Sequence, residues 1–206
     1  MTDLLLQSDA LSPAEGRFAA VARTLDYWER LRGTQPAPMR DAIDPRDLAE
    51  ALEFLFVAEP VAPGVARLRL SGQHLSRLLG MEPRGMPLCA LFEAEARAEL
   101  AAAVEQVARH GVRVLLPVRA AGSLGRPALE GLLALMPLAD AEGGIHRILG
   151  VLQTRGGIGR TPRRLTLAGP WRPLASRRAP GPGPEPEAAA PVRGRPALRL
   201  IRGGRA

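Results

Sequence analysis

The sequence predicts an α+β domain: a five-stranded antiparallel sheet with helices on one face, preceded by an N-terminal amphipathic helix and followed by a disordered C-terminal tail. Three observations predict it. The runs 52–61 and 65–72 are separated only by a Pro63-Gly64 turn, and the runs 112–120, 126–138 and 144–154 are joined by the short links AGSLG and ADAEGG, as hairpins require. Between the two groups lies an insert with helical spacing. Beyond residue 178 the chain becomes low in complexity and rich in Pro, Gly, Ala and Arg, a composition that cannot bury a core.

Taken in order, Ser12-Pro13-Ala14-Glu15 opens the first helix, since Ser12 caps, Pro13 suits the first turn and Glu15 completes a capping box. Phe18, Val21, Leu25 and Trp28 then recur at helical spacing until Gly33, which gives an amphipathic helix over 12–33 after a flexible 1–11. That stripe has two homes, its own sheet or a second protein, and the four residues are the candidate dimer or partner interface. Asp44-Pro45 marks a second helix start running to about Ala51. In the strand 52–61, Leu52, Phe54, Phe56 and Ala58 share one face and Leu55 and Val57 the other; both are apolar, so the strand is central. In 65–72, Leu68 and Leu70 face one way and Arg67 and Arg69 the other, which reads as an edge strand paired to 52–60.

The chain then turns on Ser71-Gly72 into a short helix that stops at Gly80 and breaks again at Pro83–Gly85. A long helix over 93–111 follows, with Leu100, Val104 and Val107 as its buried stripe, Glu93–Arg97 and Glu105–Arg109 as i,i+4 pairs, and His110-Gly111 as its end. Pro117 cannot donate to a ladder, which places 112–120 at an edge. The domain therefore spans 34–155. Residues 156–206 read as a mostly disordered tail, with a short strand near Leu165–Leu167 and an apolar ALRLI at 197–201 that suits docking on a partner's sheet edge.

This order of elements resembles a PAS domain. The resemblance rests on DYWERLRG (26–33), PMRDAIDPRDL (38–48), LEFLFVAE (52–59), ARLRLSGQHLSRLLGMEPRGMPLCALF (66–92) and HRILGVLQ (146–153), and covers about 18–155. More narrowly, it is similar to a family of proteobacterial proteins made of a single PAS domain, whose roles are mostly unassigned. The resemblance implies a non-enzymatic sensing or interaction module in which the short helices and the long helix close over the concave sheet face. Leu75, Leu78, Leu79, Met81 and Leu88 would then meet Phe54, Phe56, Leu68 and Leu70, either around a small ligand or as a filled core.

Composition narrows the chemistry. The chain is 46% hydrophobic but only 3% aromatic, so leucine, valine and alanine must fill the core. The net charge of +7 is uneven, with 20 Arg against 19 acids in residues 1–170 and 8 Arg against 2 acids in 171–206. The basic tail reads as a solvated end; with neither an aromatic stacking platform nor a recognition helix, the sequence argues against nucleic acid. Cys89 is the single cysteine, no segment reads as a signal peptide or a membrane span, and the expected location is the cytoplasm.

Cofactor motifs are absent or incomplete. A flavin photosensor of this fold would need Asn-Cys-Arg, and Cys89 sits in MPLCALF; a haem sensor would need a cavity-facing histidine, for which His110 is misplaced and His74 weak. His74, Cys89, His110 and His146 lack metal-ligand spacing, His74 and Ser76 lack an orienting acid, and GGIGRTP lacks the third glycine of a phosphate loop. The cofactor stays unknown. The sequence thus points to a regulatory module acting on a protein partner or as a homodimer, with or without a small ligand. The alternatives are a pure adaptor with a filled core and tail-driven binding to nucleic acid or anionic lipid.

Overall fold

Among the described residues three α-helices and five long strands follow the expected order: α1 (Ala19–Arg32), β1 (Leu55–Ala62), β2 (Val65–Ser71), α2 (Gln73–Leu79), α3 (Arg97–His110), β3 (Arg113–Ala120), β4 (Leu129–Ala139) and β5 (Ile145–Arg155). The computed structural model describes residues 11–12 and 15–174. Two short strands not counted among the expected five, β6 (Thr166–Leu167) and β7 (Arg172–Leu174), complete an antiparallel sheet of order β2-β1-β5-β4-β3-β6, with β7 also on β3. β3 is therefore not a bare edge. β7 pairs with Arg113–Leu115 and β6 with Val118–Arg119, and Pro117, which has no N–H to donate, sits in the gap between them. Its carbonyl accepts from Ala168 N at 2.8 Å.

Alternation along β3–β5 splits the side chains between two cores. Val114, Leu116, Leu133, Leu135, Ile148 and Leu152 face α2 and α3. Leu115, Leu132, Ala134, Met136, Leu149 and Val151 face α1. Both faces of these strands are covered, which is why they read as continuous apolar runs. The helices of the insert occupy the first face, and α1 takes the other.

Three local departures from the expected elements have physical causes. The Ser12–Glu15 capping box forms, with Ser12 N donating to Glu15 Oε2 at 2.8 Å and Glu15 N to Ser12 Oγ at 3.3 Å, but it opens a 3₁₀ turn at Glu15–Arg17 and α1 starts only after Phe18. Asp44 caps Pro45 as expected, accepting from Arg46 N at 2.9 Å. The segment it opens is a 3₁₀ helix from Pro45 to Phe54, whose three-residue repeat stacks Leu48 and Ala51 against the α1 side, so β1 begins at Leu55 rather than Leu52. In β2, Val57 pairs with Leu70 and Ala58 with Leu68; Arg69 is the extra residue of a bulge, and it turns Leu70 to the opposite face from Leu68.

The segment after Gly156 packs on the domain as far as Leu174, where a tail had been expected. Leu165 is fully buried, its carbonyl accepts from Glu93 N at 2.9 Å, and its N donates to Leu91 O at 2.9 Å. The linker at 178–196, the ALRLI run and nearly all of 1–11 lie outside the described residues.

Candidate functional site

The core between α2, α3 and the sheet is where the sequence places a ligand or a filled interior. Its lid enters through Gly72, whose backbone passes so close to β1's approach that an added Cβ would lie 2.3 Å from the carbonyl oxygens of Leu52 and Glu53. α2 ends at Gly80 in the left-handed conformation, φ 76°. Between these glycines, Leu75 and Leu78 point inward and are fully buried together with Phe56, Leu68 and Leu88. The structure thus brings these five expected residues together, with Leu79 beside them in the same core.

Those five fill the space rather than line it. The Phe56 ring stands directly on Gly150 of β5, where an added Cβ would fall 2.0 Å from its Cζ. A cavity of about 10 Å³ bounded by Ala66, Leu88, Leu100 and Val104 is room for roughly one water. A flavin-sized group does not fit beside these side chains as they stand. Cys89 packs partly buried against the same core.

Phe54 and Leu70 are corrections to the expected pocket. Phe54 ends the 3₁₀ segment, is half-buried, and packs at the margin of the α1-side core, its ring 5.0 Å from that of His74. Leu70 is 57% exposed on the outer face because of the Arg69 bulge. Met81 is exposed too.

His74 is the buried histidine of α2, its Nε2 3.1 Å from Thr154 Oγ1 on β5. Burial, opposed by the Glu53 charge and assisted by that of Arg77, holds its pKa below the ordinary 6.5. Because the folded state resists protonation and the unfolded state does not, stability is complete above pH 6.5 and is lost as pH falls below it. Denaturant titrations at pH 8 and pH 5 are expected to show a larger drop for the wild type than for His74→Gln; equal drops would place the acid sensitivity elsewhere.

The residues expected at a partner interface are also corrected. Phe18, Val21, Leu25 and Trp28 are buried against the chain's own sheet, Trp28 to 1% exposure. The Trp28 Nε1–H donates to Pro137 O at 2.8 Å, which fixes α1 across β4. Arg32 and Arg113 lie 5.8 and 5.1 Å from the Trp28 ring centre, and Glu29 joins them: its Oε1 accepts from Arg32 Nε at 3.0 Å and its Oε2 lies 3.0 Å from Arg113 Nη1. An amphipathic stripe reads the same whether it covers a sheet or a partner, so the sequence carried no signal to separate the two.

Two surface features were not foreseen. On the outer face beside the 3₁₀ segment, Leu52, Leu55, Val57, Leu70, Leu138 and Leu149 line an apolar groove of about 520 Å³. Leu52 is 43% exposed there. At the end of the sheet where β3 and β5 finish and β4 starts, arginines line a wide cleft of about 1380 Å³. Among the described residues no three His, Cys, Asp or Glu side chains form a metal-binding group, and no helix is long and apolar enough to cross a membrane.

A family model described as PAS domain matches residues 17–153. Among solved structures, a Rhodobacter sphaeroides LOV protein is similar at 16% identity and TM-score 0.40, over 55% of this chain and 69% of that one. The Aureochrome1 LOV domain in its light state is similar at 15% and 0.39, over 54% and 88%. The PAS domain of a Colwellia psychrerythraea protein is similar at 14% and 0.37, over 54% and 96%. No curated protein matches the sequence.

Proposed function

The chain belongs to the PAS domain family, and on that premise we propose that it is a non-enzymatic regulatory module that acts by association, with a second copy of itself through the outer apolar groove. The observation that carries this reading is the pairing of a filled interior with an apolar exterior. Phe56 occupies the sheet face over Gly150, while Leu52 and Leu70 stand exposed beside Leu55, Val57, Leu138 and Leu149. An exposed apolar patch of this kind marks an interaction site. One patch meeting its own copy across a two-fold axis is the commonest way soluble chains associate. The filled core supports an adaptor over a ligand-loaded sensor.

Sedimentation equilibrium of the full chain tests the reading. The wild type is expected to dimerise, and Leu70→Asp combined with Leu52→Asp to weaken dimerisation about a hundredfold, as removing two central apolar anchors does. At concentrations where the wild type is monomeric the melting temperature should move little, because both side chains are partly exposed. A monomeric wild type at high concentration, or a dimer indifferent to both changes, would rule out this face. Trp28→Ala, by contrast, is expected to act through unfolding and not through association.

A further inference from the structure

We propose that the arginine-lined cleft at the end of the sheet is a second binding site, which takes an acidic, extended segment of a partner protein. The site goes beyond the association proposed above and uses a different part of the surface. It lies between the ends of β3 and β5, the β3–β4 link and the segment 162–166.

Arg119, Arg126, Arg155 and Arg164 line it, and among the described residues none of the four makes an ion pair with an acid. Elsewhere on this chain acids are available to arginines: Arg69 and Arg147 share Glu59, Arg77 meets Glu53 and Arg109 meets Glu105. These four have no such acid partner among the described residues, although Arg17, which also lines the cleft, pairs with Glu130 at 3.3 Å. The guanidinium forks of the four match a carboxylate two hydrogen bonds at a time.

The floor is built to hold its shape. Arg163 is buried at its base and donates to three backbone carbonyls, Ile158 O at 2.5 Å, Pro127 O at 2.7 Å and Ala121 O at 3.4 Å. These bonds tie the exit segment to both sides of the β3–β4 link, so the cleft walls are fixed by one side chain. Arg163 adds a further positive charge with no acid beside it in an ion pair.

The occupant follows from size and lining. At about 1380 Å³ the cleft exceeds the usual small-molecule site of roughly 300–1,000 Å³, and it suits a chain rather than a compact ligand. Its lining includes Ala120, Ala128, Leu129 and Pro162, apolar surface that a peptide's side chains use, and among the described residues no aromatic ring on which a base would stack. Glu93, Glu95 and Glu130 stand among the arginines. Glu130 is paired with Arg17 at 3.3 Å; a uniformly charged phosphate backbone running past Glu93 and Glu95 would be repelled by them, whereas a peptide can place a neutral or basic residue opposite each.

Fluorescence anisotropy of the full chain with a dye-labelled Glu/Asp-rich peptide of about ten residues tests this. Binding is expected, weakening as salt rises. Combining Arg119→Ala, Arg126→Ala and Arg164→Ala should weaken it about tenfold or more, and Glu95→Gln should strengthen it, a gain that misfolding cannot produce. The inference is overturned if the wild type does not bind the peptide, if the triple variant binds unchanged, or if an oligothymidylate of equal charge binds as tightly. It is also overturned if Arg199→Ala, Arg202→Ala and Arg205→Ala together abolish binding, since the tail would then carry it. Dimerisation is measured separately, so failure of either proposal leaves the other standing.

Discussion

Glu29→Ala is expected to lower the unfolding free energy by about 3–5 kcal/mol, the loss found when one member of a buried ion pair is removed. Glu29 is the acid shared by Arg32 and Arg113, and Arg113 is only 6% exposed. Without the carboxylate, the two guanidiniums beside the Trp28 ring lose the anion they share. The cation–π contacts soften this by about 0.5–2 kcal/mol each and do not replace an anion. A urea titration measures the change directly. Because the penalty lies in the lost charge pairing, adding Arg113→Leu to Glu29→Ala should recover part of the loss. A loss under about 1 kcal/mol, the usual worth of an exposed pair, would mean that water reaches the cluster.

This network also shows where sequence reading stops. The helix stripe of Phe18, Val21, Leu25 and Trp28 was legible because 3.6-residue periodicity needs no knowledge of a partner. What it covers was not, because that depends on β4 offering Pro137 O to the indole and β3 offering Arg113 to Glu29, contacts more than eighty residues away in the chain. The two hairpins and the insert were legible from turn residues and apolar runs.

The placement of Leu70 failed for a different reason. Strict alternation puts Leu68 and Leu70 on one face, and a single bulge at Arg69 reverses the second of them. The exit segment was hidden by its composition. GGIGRTPRRLTL looks like the start of a basic tail, yet Arg163 finds three carbonyls and Leu165 a place in the core, and neither acceptor can be identified from local sequence. The central packing came closest: Phe56, Leu68, Leu75, Leu78 and Leu88 do converge, and the sequence left open only whether they surround something or fill the space.

Gly150 and Phe56 give the measurement that decides that point. Gly150→Ala is expected to destabilise by about 3 kcal/mol, because the new methyl would overlap the Phe56 ring and overpacking a dense core typically costs about 1–3 kcal/mol. Phe56→Ala is expected to lose about 3–5 kcal/mol by the opposite route, leaving a cavity beneath α2. Together the two should cost clearly less than their sum, since the alanine methyl at 150 harms the fold only while the ring is there. Additive losses would mean that the ring does not rest on Gly150 in solution. The same variant tests the functional reading. An apolar cavity of that size binds small apolar molecules such as benzene, so benzene should raise the melting temperature of Phe56→Ala and leave the wild type unchanged. A wild type stabilised equally would have a core that opens by itself, and the case for an adaptor over a ligand sensor would reverse.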